Sequence, residues 1–105
     1  MATASYRIDG REVVAEAEGL KVSVLTLGNG QKVPWHHHSN VTDTFLCMDG
    51  PMQVETRNPE TRTVLRPGER TAVPAGRPHE VSGVDGGPCR FLIVQGVGKY
   101  DFVPD

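Results

Sequence analysis

The four histidines of this 105-residue chain stand in two groups whose spacing suits a metal site. His36, His37 and His38 are consecutive, and His79 stands alone later in the chain. Alternate side chains of an extended strand leave from the same face, so the imidazoles of His36 and His38 project side by side, about 6.6 Å apart. His37 then points the other way, and the two rings can converge on one ion at N–metal distances of about 2.1 Å. The pattern predicts a metal site, with a solvent-exposed or merely hydrogen-bonded histidine cluster as the alternative.

Glycine, proline and aspartate residues flank both histidine groups at fixed distances. Five residues separate Gly30 from His36. Four residues separate His38 from Asp43, and six more separate Asp43 from Gly50. The second stretch has its own register, in the order Gly68, Pro74, Gly76, His79 and Gly83.

Together the two stretches resemble the paired motifs of the cupin superfamily, which read G-x5-HxH-x4-E-x6-G and G-x5-PxG-x2-H-x3-N. This chain departs from them at Asp43, where the family has glutamate, and at Gly83, where it has asparagine. The motifs and the gap between them span residues 30–83, about half of the chain. The resemblance is specific for the fold and for metal binding, and it says little about the reaction.

The resemblance implies that His36, His38 and His79 bind one divalent transition metal together with the residue at position 43. Three imidazoles with or without a carboxylate suit Fe, Mn, Ni, Zn or Cu, and the sequence does not select among these metals. Asp43 is one methylene shorter than glutamate, so its carboxylate reaches the ion only if the backbone shifts inward. Direct ligation, ligation through a water, and a free carboxylate acting as a catalytic general base all stay open for Asp43.

Turn residues and short alternating segments predict an all-β domain. Twelve glycines and eight prolines suit many short strands joined by tight turns, and regularly spaced short strands favour a sandwich or barrel. The resemblance narrows this to a small double-stranded β-helix, the jelly-roll cupin barrel, over residues 21–105. Residues 1–20 form an N-terminal segment that could supply an exchanged edge strand, and its part 11–18 is ambiguous between helix and strand. Strands are expected at 21–27, 34–38, 42–48, 52–57, 63–65, 70–73, 79–82 and 89–95.

Charge and hydropathy argue against nucleic acid and membrane as partners. The net charge is −2, and the eleven basic residues are spread along the chain rather than gathered into a footprint for nucleic acid. No apolar run is long enough to span a membrane. The N-terminus lacks the apolar core of a signal peptide, so cytoplasmic residence is the default expectation. Cys47 and Cys89 lack a CxxC spacing, and an intracellular setting disfavours a disulfide between them.

Strand parity counted from the ligands predicts that Phe45, Cys47 and Val81 face the cavity. The family resemblance adds Met52 and Val54, and Arg70 and Gln95 are the polar candidates. Cys47 shares the face of Asp43, although a small buried hydrophobe is its simpler interpretation. Arg70 would hold a substrate carboxylate in a bidentate grip if it points into the barrel mouth, whereas a surface position is the simpler expectation. Trp35 either walls the entrance or belongs to an interface. The full set of substrate-pocket candidates is Phe45, Cys47, Met52, Val54, Arg70, Val81 and Gln95.

The resulting hypothesis is a small metal-dependent enzyme that acts on a small-molecule substrate and is similar to the single-domain cupins that work as dioxygenases. One alternative is a redox-neutral cupin isomerase or lyase with a sugar-acid-like substrate. Another is a non-catalytic module that binds a metal or a small molecule. Cupins commonly pair, so the resemblance also implies a homodimer, and an outward apolar set suits a buried face: Leu46, Met48, Leu92 and Val94.

Overall fold

The computed structural model describes residues 6–105, which contain ten β-strands and a short 3-10 turn at Val84–Gly86. None of the described residues belongs to a helix long and apolar enough to cross a membrane. The strands are β1 (Gly10–Ala17), β2 (Leu20–Leu27), β3 (Lys32–His37), β4 (Thr42–Asp49), β5 (Met52–Thr56), β6 (Thr61–Leu65), β7 (Arg70–Val73), β8 (His79–Gly83), β9 (Cys89–Gly96) and β10 (Val103–Pro104).

The strands form two five-stranded sheets. The first sheet has the order β1-β2-β9-β4-β7 and the second has the order β10-β3-β8-β5-β6. Neighbouring strands pair antiparallel throughout. Strands that follow one another in sequence repeatedly lie in opposite sheets, as in a jelly roll, so the prediction of an all-β jelly-roll barrel is confirmed.

The core lies between the two sheets because every second side chain points inward. In β4 the residues Asp43, Phe45 and Cys47 are buried, while the residues between them are more exposed. Phe45 contacts Phe91 of β9 edge to face, with ring centroids 5.7 Å apart. Full burial of a side chain of this size stabilises the fold by about 1.5–3 kcal/mol. The same alternation carries polar ligand atoms into the interior at one end of the barrel.

The ambiguous segment 11–18 is an edge strand rather than a helix. β1 pairs with β2 of the same chain from Gly10 opposite Thr26 to Ala17 opposite Leu20, with an irregularity after Val13. The exchange of this strand with a second chain stays a prediction, and residues 1–5 lie outside the described residues. The strand β10 was not expected from the sequence, and it adds a short edge beside β3.

Candidate metal centre

Four buried side chains meet inside one end of the barrel. They are His36, His38, Asp43 and His79, whose ligand atoms all lie within 4.8 Å of one another. The structure thus brings together the four residues selected from the sequence as metal ligands. His37 points away from them, and its Nδ1 lies 2.9 Å from a carboxylate oxygen of Asp105 near the surface.

Strand pairing explains how distant parts of the chain reach this place. His36 of β3 stands directly opposite His79 of β8 in the second sheet, after an irregularity that follows Val33. Asp43 approaches from the first sheet, where it is paired with Gln95 of β9. The centre therefore spans the gap between the two sheets, and it forms only when both sheets are in register.

The shorter side chain of Asp43 reaches the histidines. Its Oδ2 lies 2.9 Å from Nε2 of His38 and 2.9 Å from Nε2 of His79. The distance from Oδ2 to Nε2 of His36 is 4.0 Å. The other oxygen, Oδ1, accepts a hydrogen bond from Gln95 Nε2 at 3.1 Å. Asp43 thus faces all three rings without the additional methylene of glutamate, and Gln95 fixes the orientation of its carboxylate.

The outer nitrogen of each ring is held by a backbone carbonyl. Nδ1 of His36 lies 2.7 Å from the carbonyl oxygen of Pro34, and Nδ1 of His79 lies 2.9 Å from that of Arg77. Nδ1 of His38 lies 2.5 Å from the carbonyl oxygen of Asp101. A carbonyl oxygen only accepts hydrogen bonds, so Nδ1 of each ring carries a proton and donates. A neutral ring then directs its Nε2 lone pair into the centre, as histidine ligands of metals do.

Burial and mutual charge set the protonation of the cluster. Burial, together with the neighbouring His79, lowers the pKa of His36 to about 4. Burial also acts to lower the pKa of His38, but the hydrogen bond and charge of Asp43 outweigh it and raise that pKa. Burial acts to raise the pKa of Asp43. The hydrogen bonds that its carboxylate forms with His38 and His79 outweigh the effect of burial and hold that pKa well below its usual range. Asp43 is therefore a carboxylate at neutral pH.

The donor chemistry fits a divalent transition metal. Inward lone pairs and one carboxylate are acceptors that need a cation among them, and buried charge in proteins is paired or coordinates a metal. Imidazole nitrogens with a single carboxylate suit first-row transition metals rather than Ca²⁺ or Mg²⁺, which prefer oxygen ligands. Without a metal, the proton that His38 holds through its raised pKa offsets part of the charge of Asp43.

A cavity opens beside the centre. Its volume is about 80 Å³. The centre forms one wall through His36, His38 and Asp43. Other lining residues are Tyr6, Arg11, Lys21, Ser23, Leu25, Val33, Phe45, Val81, Phe91, Ile93, Gln95, Tyr100 and Phe102. Phe45, Val81 and Gln95 among the sequence-selected pocket candidates thus lie at the cavity.

The structure places the other pocket candidates elsewhere. Cys47, Met52 and Val54 do face the barrel interior, but they pack in the apolar core rather than along the cavity. Parity gives the face of a strand and not the depth along it, and Cys47 lies near the end of β4 away from Asp43. Arg70 is exposed because it is paired with Leu46, on the outer face of the first sheet.

Trp35 is also absent from the cavity wall. It lies on the opposite face of β3 from His36, where the guanidinium carbon of Arg57 stands 3.9 Å from the centroid of the indole ring. Such cation–π contact stabilises an exposed site by roughly 0.5–1 kcal/mol. The position thus has a packing role on the outer surface of the single chain.

Sequence reasoning missed the C-terminal segment, residues 98–105. The ring of Phe102 stacks on His36, and the ring of Tyr100 lies 5.2 Å from that of His38. The carboxylate of Asp101 accepts a hydrogen bond from the backbone N–H of Ser39 at 2.7 Å. Burial raises the pKa of Tyr100 to about 12, so its phenol keeps its proton at neutral pH. A segment this short carries too little periodicity for these contacts to be read from the sequence.

Comparisons with known proteins agree with this geometry. The profile of the Cupin domain family matches residues 23–95. Quercetin 2,3-dioxygenase of Bacillus subtilis (strain 168) is 33% identical over 76 residues, which make up 72% of this chain and 20% of that enzyme. The chain therefore spans about a fifth of the length of this relative.

Two solved structures illustrate the likeness of fold. A conserved protein with a double-stranded β-helix domain from Klebsiella pneumoniae has a TM-score of 0.78 at 24% identity, over 98% of this chain and 90% of that chain. An oxalate oxidase has a TM-score of 0.72 at 21% identity, over 82% of this chain and 46% of that chain. Since the family profile covers most of the chain, this chain belongs to the Cupin domain family.

Proposed function

We propose that this chain is a metal-dependent oxidoreductase of the dioxygenase-like kind, acting on a small organic molecule beside the His36–His38–Asp43–His79 centre. The observation that carries the proposal is the convergence of three ring nitrogens and one carboxylate. A backbone carbonyl orients each ring through its Nδ1, and Gln95 orients the carboxylate. A divalent transition metal bound there supplies Lewis-acid and redox chemistry. The names of two similar proteins, a dioxygenase and an oxidase, support the oxidoreductase class.

The residues of this chain prepare the cavity for such chemistry. Gln95 holds Oδ1 of Asp43, which leaves Oδ2 directed at the ring nitrogens. Tyr100 keeps its phenolic proton and can donate a hydrogen bond to a substrate oxygen at the cavity. Apolar side chains such as Phe45 and Phe91 limit the water beside the centre, which strengthens every polar interaction with the substrate.

The experiment compares turnover with and without oxygen. Protein loaded separately with Fe²⁺, Mn²⁺, Ni²⁺, Cu²⁺ or Zn²⁺ is supplied with enolisable diketones, phenols and sugar acids, and oxygen uptake is followed together with product formation. The proposal expects oxygen uptake that the His79→Ala variant lacks. Turnover that persists under nitrogen would instead assign an isomerase or lyase. Binding without turnover of any compound would assign a non-catalytic binding module.

We further propose that two chains pair through the outer face of the first sheet. Leu46 and Leu92 are direct cross-strand partners on this face, and Val94 lies on the same face. Leu46, Leu92 and Val94 are only partly buried in the single chain, and exposed apolar side chains that lie together are typical of interfaces. Sedimentation equilibrium should give the mass of two chains, and Leu92→Lys should shift it to one. A wild-type mass of one chain would contradict the pairing.

A further inference from the structure

Two cationic side chains line the same cavity as the metal centre. Arg11 of β1 is paired with Leu25 of β2, so the two side chains share the inner face of the sheet. Lys21 lies on the same face of β2 as Leu25. It is paired with Gln95 of β9. Both Arg11 and Lys21 border the cavity together with His36, His38 and Asp43.

These two charges have little compensation. Among residues 6–105, neither Arg11 nor Lys21 forms an ion pair. Glu16 stands opposite Lys21 in the β1–β2 register and still makes no ion pair with it. Asp43 is the one carboxylate among the described residues that line the cavity, and it is engaged by the histidines and by Gln95.

The guanidinium of Arg11 is oriented by a neighbour. Its Nη2 donates a hydrogen bond to the phenol oxygen of Tyr6 at 2.6 Å, and its central carbon lies 5.6 Å from the centroid of the Tyr6 ring. A guanidinium has five N–H donors, so this bond leaves others for a ligand. The planar fork of these donors matches the two oxygens of a carboxylate.

We propose that Arg11 and Lys21 bind a carboxylate of the substrate, so that the cavity takes short-chain organic anions with their reactive end toward Asp43 and the histidines. The proposal rests on the proposed function, which it deepens by naming the substrate class. The small volume of the cavity favours a ligand of few atoms. A negative ligand would supply the counter-charge that the cavity lacks.

The test is a calorimetric titration of zinc-loaded and metal-free protein with malonate, succinate and glutarate, alongside the corresponding neutral diamides. Arg11→Gln and Lys21→Gln each remove one charge from the cavity, and Arg66→Gln removes one charge from the exposed turn between β6 and β7 as the matched control. Metal content is measured for each protein. We expect a dicarboxylate to bind at least tenfold more weakly to Arg11→Gln, with Arg66→Gln unchanged and the diamides binding poorly to all.

Each outcome bears on only one of the two proposals. Equal dicarboxylate affinity in wild type and in both cavity variants, or equal affinity for the diamides, would overturn the carboxylate site and leave the metal proposal intact. A wild-type protein that takes up no metal would overturn the proposed function. In that event the titration of metal-free protein still decides the inference, because dependence of affinity on Arg11 supports it and independence overturns it.

Discussion

The ring of Phe102 lies flat on the ring of His36, with centroids 4.3 Å apart and planes 8° from parallel. The preceding residue, Asp101, places its carbonyl oxygen 2.5 Å from Nδ1 of His38. The strand β10 then pairs with His36 and His37. The C-terminal segment 98–105 therefore covers the centre and orients two of its ligands at once.

Removal of residues 101–105 should weaken metal binding by about 10–100-fold, the range found when hydrogen-bond partners of ligands are lost. The carbonyl that orients His38 and the ring that packs on His36 would both be gone. Competition with a chelator measures the affinity. The single variant Phe102→Ala should show part of the loss, whereas Val97→Ala, at a side chain 80% exposed, should show none. An unchanged affinity in the truncated protein would contradict this role.

Gln95→Glu should harm the centre more than Gln95→Leu does. Leucine only removes the hydrogen bond to Oδ1 of Asp43, whereas glutamate places a second carboxylate 3.1 Å from where that oxygen now lies. Like charges at this distance raise the pKa of one carboxyl group. Metal titrations at several pH values should therefore show that Gln95→Glu needs a higher pH for loading than Gln95→Leu. The reverse order would mean that the amide does not contact Asp43 in solution.

The metal-free protein should lose stability as the pH falls from about 6.5 to about 4. Burial lowers the pKa of His36 from 6.5 to about 4. Between these pH values His36 is protonated in the unfolded chain and neutral in the folded chain. The unfolded state then binds more protons, and the free energy of unfolding decreases on acidification. His36→Gln should flatten this decline in melting temperature, and His37→Gln, outside the cluster, should keep it.

The alkaline side should show the opposite sign. The pKa of His38 is raised by Asp43, so the folded chain keeps a proton above pH 6.5 that the unfolded chain has released. That contribution to stability is complete below pH 6.5 and is lost as the pH rises through the folded-state pKa. The melting temperature of metal-free protein should thus peak near pH 6.5. A continuous rise from pH 4 to pH 9 would contradict both assignments.

The role of Asp43 is separable from that of the histidines. His38→Ala removes a ring nitrogen and should abolish metal loading. Asp43→Asn keeps the size of the side chain and removes its charge, so loading should survive if Asp43 serves as a base and should fall with that of His38→Ala if it is a ligand. Metal analysis of both variants distinguishes these roles, and activity lost with metal retained would assign proton transfer to Asp43.

The features of this structure that depend on local periodicity could be predicted from the sequence. The HxH spacing placed His36 and His38 on one face, and the resemblance to the cupin motifs added Asp43 and His79 to the same centre. The sequence does not show how far along a strand the cavity extends. Cys47 was therefore a pocket candidate by its face, whereas the structure places it in the core. The sequence does not show which residues of neighbouring strands pair. In the structure Arg70 pairs with Leu46 and points outward. Arg11 pairs with Leu25 and faces the cavity.

The C-terminal segment could not be predicted for a different reason. β10 has only two residues, and its pairing with β3 joins parts of the chain that are far apart in sequence. Short strands carry too little periodicity to be distinguished from loops. The contacts of Phe102 and Asp101 with the ligands therefore emerge only from the folded chain.

Metal stoichiometry of untagged protein tests the central claim most directly. Wild-type protein loaded with a transition metal and freed of excess should retain about one ion per chain, bound by three imidazoles. His79→Ala should retain none, while His37→Ala, which removes a histidine that points away from the centre, should retain as much as the wild type. Equal metal content in wild type and His79→Ala, or no stable binding by the wild type, would contradict the account.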